Sequence, residues 1–157
     1  MFELSPEGLE FVKKEMTRYE TKRSAIIPCL FRVQKENGGW VSPECVAYLA
    51  ELMDVPERWV QEVSTFYTMF NQQPVGKYHV QVCCNISCSM GGGRELAAYI
   101  SKSLGVAEGV VSADGRYSIS RVECLGSCGT APMMQVNDDY HESLTPDKAV
   151  KILRELD

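Results

Sequence analysis

The sequence has no long apolar run, no recognisable export signal and little excess charge. Its longest strongly apolar stretch, 25–31, contains Pro28 and is far shorter than the roughly 20 residues that span a bilayer. The first residues lack the basic and apolar regions of a secretory signal. Lys and Arg number 16 against 21 Asp and Glu, a net charge of −5, which disfavours a nucleic-acid binder. We expect a cytoplasmic protein with no nucleic-acid partner and no direct membrane insertion.

The sequence also lacks the fingerprints of nucleotide sites and of dithiol enzymes. The glycine run 91–93 is not followed by the Lys-Ser/Thr of a phosphate loop, and no Gly-x-Gly-x-x-Gly follows a predicted strand. Cys-x-x-Cys, the motif of thioredoxin-type oxidoreductases, is missing. Neither His79 nor His141 belongs to a Cys-x-His pair, so a Rieske-type site is not expected. We therefore expect no catalytic residues and no NADH oxidation by the isolated chain.

The apolar pattern changes after residue 73 and divides the chain into two parts. Four apolar stripes at helical spacing occupy 1–73, and cap signals such as Ser5-Pro6 and Ser42-Pro43 precede two of them. The fourth stripe starts at Pro56 and continues through Phe70. This pattern predicts a small N-terminal helical bundle.

Strand and helix signals alternate in the second part, 74–157. Period-two alternation over 77–82 predicts a strand, and 117–122 and 132–136 predict two more, the last followed by a turn at 137–139. Apolar stripes after Gly93 and after Thr145 predict helices. The order strand, helix, strand, strand, helix predicts a small α/β domain with a sheet and flanking helices.

Seven cysteines are many for a cytosolic protein, and the odd number excludes a complete disulfide framework. In a reducing compartment, metal ligands or catalytic thiols are favoured over bridges. Cys29 and Cys45 lie on predicted helices and are expected to be small buried residues. The other five form two clusters, each after a predicted strand: Cys83-Cys84-Asn85-Ile86-Ser87-Cys88 and Cys124-Leu125-Gly126-Ser127-Cys128.

Four converging thiolates suit either tetrahedral zinc or an iron–sulfur cluster. Zinc sites favour C-x2-C, whereas C-x4-C with a distant C-x3-C spreads its ligands as a cluster of two irons requires. Gly126 and Gly129 permit close backbone approach, and Ser87 and Ser127 can donate hydrogen bonds near sulfur. A [2Fe–2S] cluster is favoured, while a zinc-stabilised interaction module and unliganded buried thiols stay open.

The pattern Cys83-x4-Cys88 … Cys124-x3-Cys128, followed by Ala131-Pro132, resembles the NuoE family of bacterial NADH:quinone oxidoreductase, respiratory complex I. It is also similar to the corresponding subunits of soluble NAD-linked hydrogenases and formate dehydrogenases. The resemblance extends over essentially the whole chain, through residues 38–41, 63–67, 74–78, 114–117, 136–139 and 144–146.

The resemblance implies a helical bundle over 1–73 and a thioredoxin-like domain over 74–157. That domain would hold one [2Fe–2S] cluster on four ligands: Cys83, Cys88, Cys124 and Cys128. The chain would exchange single electrons with the FMN of a NuoF-like flavoprotein during NADH oxidation and quinone reduction. That partner would carry the FMN, the NADH site and a [4Fe–4S] cluster.

The resemblance also implies a place in the peripheral arm of the complex, at the cytoplasmic face of the inner membrane. Phe66 and Tyr67 coincide with a Phe-Tyr motif that lies near the flavoprotein contact in that family. The apolar pattern equally allows both residues to be core, so interface and core stay open for them.

The adjacent Cys83 and Cys84 leave the first ligand ambiguous. Cys83-x4-Cys88 matches the family, whereas Cys84-x3-Cys88 would mirror the spacing of the second cluster. Alternation along the predicted strand places Cys84 on the same face as Val80 and Val82, and Cys83 on the opposite face. We therefore expect Cys83 to be the ligand and Cys84 to be a small core residue.

Overall fold

The structure is a computed structural model that describes residues 2–157. It divides into two compact units, Met1–Pro74 and Val75–Asp157. The sequence pattern places the change between residues 73 and 74. Among the described residues, no helix combines the length and the apolar character needed to cross a membrane.

The first unit consists of helices, and side-chain caps determine where two of them begin. The Ser5 hydroxyl accepts a hydrogen bond from the Gly8 amide, and Ser42 does the same for Cys45, as the cap signals predict. Cys29 and Cys45 are fully buried in this unit, which confirms that they are small core residues. The helices are α1 Pro6–Arg18, α2 Ile26–Glu36, α3 Pro43–Met53 and α4 Glu57–Phe66, with a 3-10 turn Lys22–Ala25 before α2.

The predicted extent of α4 is wrong at its carboxyl end. The helix ends at Phe66, because Tyr67 adopts an extended backbone with φ −92° and ψ 118°. Phe70 is nevertheless buried, since a turn closed by its amide and the Tyr67 carbonyl (3.1 Å) returns it to the core. The aromatic spacing therefore reflects burial of Phe70 rather than a continuing helix.

The second unit is a four-stranded mixed sheet with the order β2-β1-β3-β4. Strands β1 and β2 are parallel, and the other two pairings are antiparallel. Apolar side chains of α6 and α7 pack with those of the sheet to form the core of this unit. The elements are β1 Tyr78–Cys83, α5 Ile86–Met90, α6 Gly93–Leu104, β2 Tyr117–Val122, β3 Met134–Val136, β4 Asp139–His141 and α7 Pro146–Arg154.

Two short elements, α5 and β4, are not predicted by the sequence pattern. Helix α5 has five residues and strand β4 has three, which is too few for a helical or strand period to show. The predicted turn at 137–139 is present before β4, with Asn137 in the left-handed region at φ 53°. Strand β3 begins at Met134, later than predicted.

Candidate metal centre

The parallel pairing of β1 and β2 brings the two cysteine clusters to one edge of the sheet. Cys83, the last residue of β1, is paired in register with Val122, the last residue of β2. Parallel strands present their carboxyl ends at the same edge. The loop after Cys83 and the loop that contains Cys124 therefore start side by side.

The first thiol pair, Cys83 and Cys88, is buried. Asn85 caps α5 by accepting a hydrogen bond from the Ile86 amide (2.8 Å), and the short helix returns the chain so that Cys88 packs in one buried cluster with Cys83. Each cysteine is 2% exposed, and both pack against the fully buried Met133. Burial raises the pKa of Cys88 to about 11, and the neighbouring Cys83 thiol adds to this increase. A metal must therefore displace a proton from Cys88 to bind there.

The second thiol pair, Cys124 and Cys128, is exposed to solvent. Their sulfur atoms are 3.5 Å apart, and the Gly126 amide donates to Cys124 Sγ over 3.4 Å. Gly126 has φ +84°, a conformation that glycine adopts without strain. The hydrogen bond with Cys124 raises the pKa of the Cys128 thiol, and the Ser87 hydroxyl acts in the opposite direction.

The two pairs lie within electrostatic reach of each other. Cys128 contributes to the raised pKa of Cys88, and Cys83 contributes to that of Cys128. Asn85 Nδ2 donates to Glu123 Oε2 over 2.5 Å and so connects the two loops. Over residues 2–157, no three His, Cys, Asp or Glu side chains form a group ready to hold a metal ion.

Cys84 lies apart from both pairs. It is half-buried and packs against the core that contains Val80 and Val82, while Cys83 packs with Cys88 instead. Its amide still donates to the Val122 carbonyl over 2.9 Å, so strand alternation continues past the end of β1. Burial is the largest cause of the raised pKa of Cys84. These placements agree with the expected faces, and the assignment of Cys83 as the ligand stays a prediction.

Some supporting contacts could not be read from the sequence. The Tyr140 hydroxyl, on the unpredicted β4, donates to the Leu125 carbonyl over 2.7 Å and so supports the second loop. The Asn85–Glu123 contact depends on tertiary packing, and its one sequence signal is that each residue lies beside a cysteine. Ser127, expected near sulfur, instead pairs with Thr130 Oγ1 at 2.8 Å.

The spacing of the four thiols suits ligation of the two irons of an iron–sulfur cluster. Two thiolates on one tetrahedral ion with bonds of about 2.3 Å lie about 3.8 Å apart. The 3.5 Å between Cys124 and Cys128 is close to that separation. A [2Fe–2S] cluster takes two cysteines on each of its irons, which corresponds to the two thiol pairs here.

The exposure of the thiols predicts the order in which they react in the metal-free protein. We expect N-ethylmaleimide to label Cys124 and Cys128 first, because both are exposed. Cys29 should react last, since it is fully buried and burial raises its pKa to about 12. Mass spectrometry of peptides from a timed reaction measures the order. Labelling of Cys29 as fast as Cys128 would contradict the placement of these thiols.

A small four-stranded mixed sheet with two cysteine pairs at one edge is typical of small cysteine-ligated metal proteins. The model of the thioredoxin-like [2Fe–2S] ferredoxin family matches residues 12–157, and the chain belongs to this family.

Curated relatives align over most of their length. The E subunit of NADH-quinone oxidoreductase from Rickettsia bellii is 40% identical over 99% of this chain and 94% of its own. NADH-quinone oxidoreductase subunit 2 of Thermus thermophilus is 43% identical over 87% of this chain and 76% of its own.

The fold is also found in a solved structure of larger size. An NAD+-reducing [NiFe]-hydrogenase in the air-oxidised state superposes on 82% of this chain with a TM-score of 0.67 and 17% identity. This chain spans 22% of the length of that hydrogenase chain. At this identity the likeness shows the fold alone.

Proposed function

We propose that this chain is the [2Fe–2S] electron-transfer subunit of an NADH:quinone oxidoreductase. The observation that carries the proposal is the grouping of four thiols at one sheet edge, with Cys83 and Cys88 packed together and Cys124 beside Cys128. The curated relatives support it, because they are named as subunits of NADH-quinone oxidoreductase and match nearly the full chain.

The four cysteines would hold the cluster as two pairs. The bound cluster supplies a site that accepts and releases one electron at a time. Met133 shields the Cys83–Cys88 pair from water, since both thiols are buried against it. The Gly126 amide points at Cys124 Sγ and would stabilise negative charge on that sulfur. The exposed second pair is the part of the centre that solvent reaches.

The electron partner in this proposal is the FMN of a NuoF-like flavoprotein. That flavoprotein, in the peripheral arm at the cytoplasmic face of the membrane, would carry the NADH site, the FMN and a [4Fe–4S] cluster. This chain alone would not oxidise NADH, because its sequence carries neither a dinucleotide fingerprint nor a phosphate loop.

We assign the two units, 1–73 and 74–157, separate roles as domains. The second would hold the cluster, and the first, as a helical bundle, would contact the flavoprotein. Phe66 supports this division, because it is 76% exposed and so is not a core residue of the chain. Tyr67 lies beside it, with the two ring centroids 5.0 Å apart.

Two alternatives are less well supported. The corresponding part of a NAD-linked hydrogenase shares the fold, but the hydrogenase is 17% identical, whereas the two NADH-quinone oxidoreductase subunits described above are 40% and 43% identical. A zinc-binding interaction module would use the same four thiols without redox chemistry. The metal content separates this second alternative from the proposal.

Anaerobic purification of the full chain with adequate iron is expected to give a red-brown protein. We expect close to two irons and two acid-labile sulfides per chain, because each thiol pair binds one iron. Elemental analysis and a sulfide assay measure both numbers. A Cys124→Ser/Cys128→Ser double variant should contain neither. Stoichiometric zinc without sulfide in the unsubstituted protein would contradict the proposal.

A further inference from the structure

Three consecutive glycines, Gly91, Gly92 and Gly93, connect the end of α5 to the first residue of α6 and begin three residues after the second expected ligand, Cys88. They do not form a phosphate loop, and the electron-transfer proposal gives them no role. The three differ in what a side chain would meet at each position, and that difference assigns a role to one of them.

Gly93, the first residue of α6, packs directly on the main chain of both buried cysteines. A Cβ at this position would lie 2.6 Å from the Cys83 carbonyl oxygen and 2.8 Å from the Cys88 carbonyl oxygen. Ordinary contacts of a Cβ begin near 3.4 Å. Because the obstructing atoms are backbone atoms, no side-chain rotation relieves the overlap. An alanine here requires the first turn of α6 and the two cysteine peptides to separate by several tenths of an ångström.

The peptides that Gly93 touches set the position of the buried thiols. The amide of Cys83 donates to the Met133 carbonyl over 3.3 Å, which fixes the amide side of this residue at the end of β1. Gly93 contacts its carbonyl side. Cys88 lies inside the short helix α5, and Gly93 contacts its carbonyl as well. One close approach therefore fixes two residues from different elements relative to each other.

We propose that Gly93 is a positioning residue of the metal centre. Its lack of a side chain lets the first turn of α6 close on the carbonyl oxygens of Cys83 and Cys88, and this contact sets the spacing of the buried thiol pair. The inference rests on the proposed function, since it takes Cys83 and Cys88 as ligands. Groups that orient metal ligands affect metal binding strongly: replacing a hydrogen-bonded partner of a ligand typically costs about 10- to 100-fold in affinity or activity, and we expect a loss of similar size here.

The glycine run offers two matched control variants. Gly91→Ala is sterically neutral, because its nearest neighbours are 3.4 Å away and its φ is −84°. Gly92→Ala meets nothing within 4 Å, but Gly92 has φ +90°, so this variant tests backbone strain at the start of α6 without contact to the cysteines. Gly93→Ala tests the contact.

The test measures cluster loading, the EPR spectrum of the reduced cluster and the rate of cluster loss to an iron chelator in the full chain. Gly93→Ala is expected to lose its cluster about 10- to 100-fold faster than the unsubstituted chain and to show shifted g values. Gly91→Ala should match the unsubstituted chain in all three measurements. Gly92→Ala should unfold at a lower temperature with unchanged g values and an unchanged rate of cluster loss. Circular dichroism of metal-free Gly93→Ala should show a folded chain.

Four results that differ from the expected ones would overturn the inference, each for a different reason. If Gly93→Ala matches Gly91→Ala in g values and in cluster loss, the contact does not position the thiols. If Gly92→Ala changes the g values and the rate of cluster loss as much as Gly93→Ala does, the backbone conformation at the start of α6 controls the centre, and the contact does not. If metal-free Gly93→Ala is unfolded, the contact serves the fold and not the centre. An unsubstituted chain without iron and sulfide overturns the proposed function, and this inference with it.

Discussion

Replacing Cys83 with serine is expected to abolish or strongly alter the visible spectrum of the cluster, whereas Cys84→Ser retains it. The two residues are neighbours, yet Cys83 packs with Cys88 and Cys84 packs against the core under the sheet. A serine at position 83 removes a thiolate from the buried pair. A serine at position 84 puts a hydroxyl in a half-buried site, at a cost of about 1 kcal/mol in the free energy of unfolding.

The Cys83 and Cys84 variants form a matched pair, because each replaces one sulfur by one oxygen at adjacent positions. Absorption spectra, iron content and urea unfolding of the two full-length variants measure the difference. Loss of the spectrum in Cys84→Ser with retention in Cys83→Ser would show that Cys84 is the ligand. The Cys83-x4-Cys88 spacing of the family would then not apply to this chain.

Much of the centre follows from two features of the sequence: the position of the cysteines after strands and the alternation along β1. The pattern predicts β1 and β2, and their parallel pairing places Cys83, at the end of β1, beside the loop that contains Cys124. Alternation predicts the opposite faces of Cys83 and Cys84, because a strand directs successive side chains to opposite sides. These features are local and periodic, so one sequence is enough to find them.

The features that the sequence does not predict are short or depend on tertiary packing. Helix α5 has too few residues to show a period, yet it brings Cys88 back to Cys83. Ser127 is chemically able to donate to sulfur, but the local turn directs it to Thr130 instead. The role of Gly93 depends on two carbonyl groups from other elements, and no local pattern reports such an approach.

Replacing both Phe66 and Tyr67 with alanine is expected to weaken binding to the flavoprotein strongly while the chain stays folded and keeps its cluster spectrum. Aromatic residues that act as interface hot spots cost about 2–4 kcal/mol each when truncated to alanine, or roughly 30- to 1,000-fold in Kd. Phe66 is 76% exposed and Tyr67 is 37% exposed, and their rings contact each other edge to face. Removing such exposed side chains should change the free energy of unfolding by about 0.5 kcal/mol or less.

The control for this experiment is Tyr99→Ala, which removes an aromatic side chain from the second unit, and the 41% exposure of Tyr99 is close to that of Tyr67. Co-expression of each full-length variant with the flavoprotein, followed by affinity purification and a binding titration, measures the loss. The double variant should lose binding, and Tyr99→Ala should retain it. Equal binding by both variants would place the flavoprotein contact elsewhere on the chain. A double variant that fails to fold would show that Phe66 and Tyr67 support the core, and the proposed contact would be wrong.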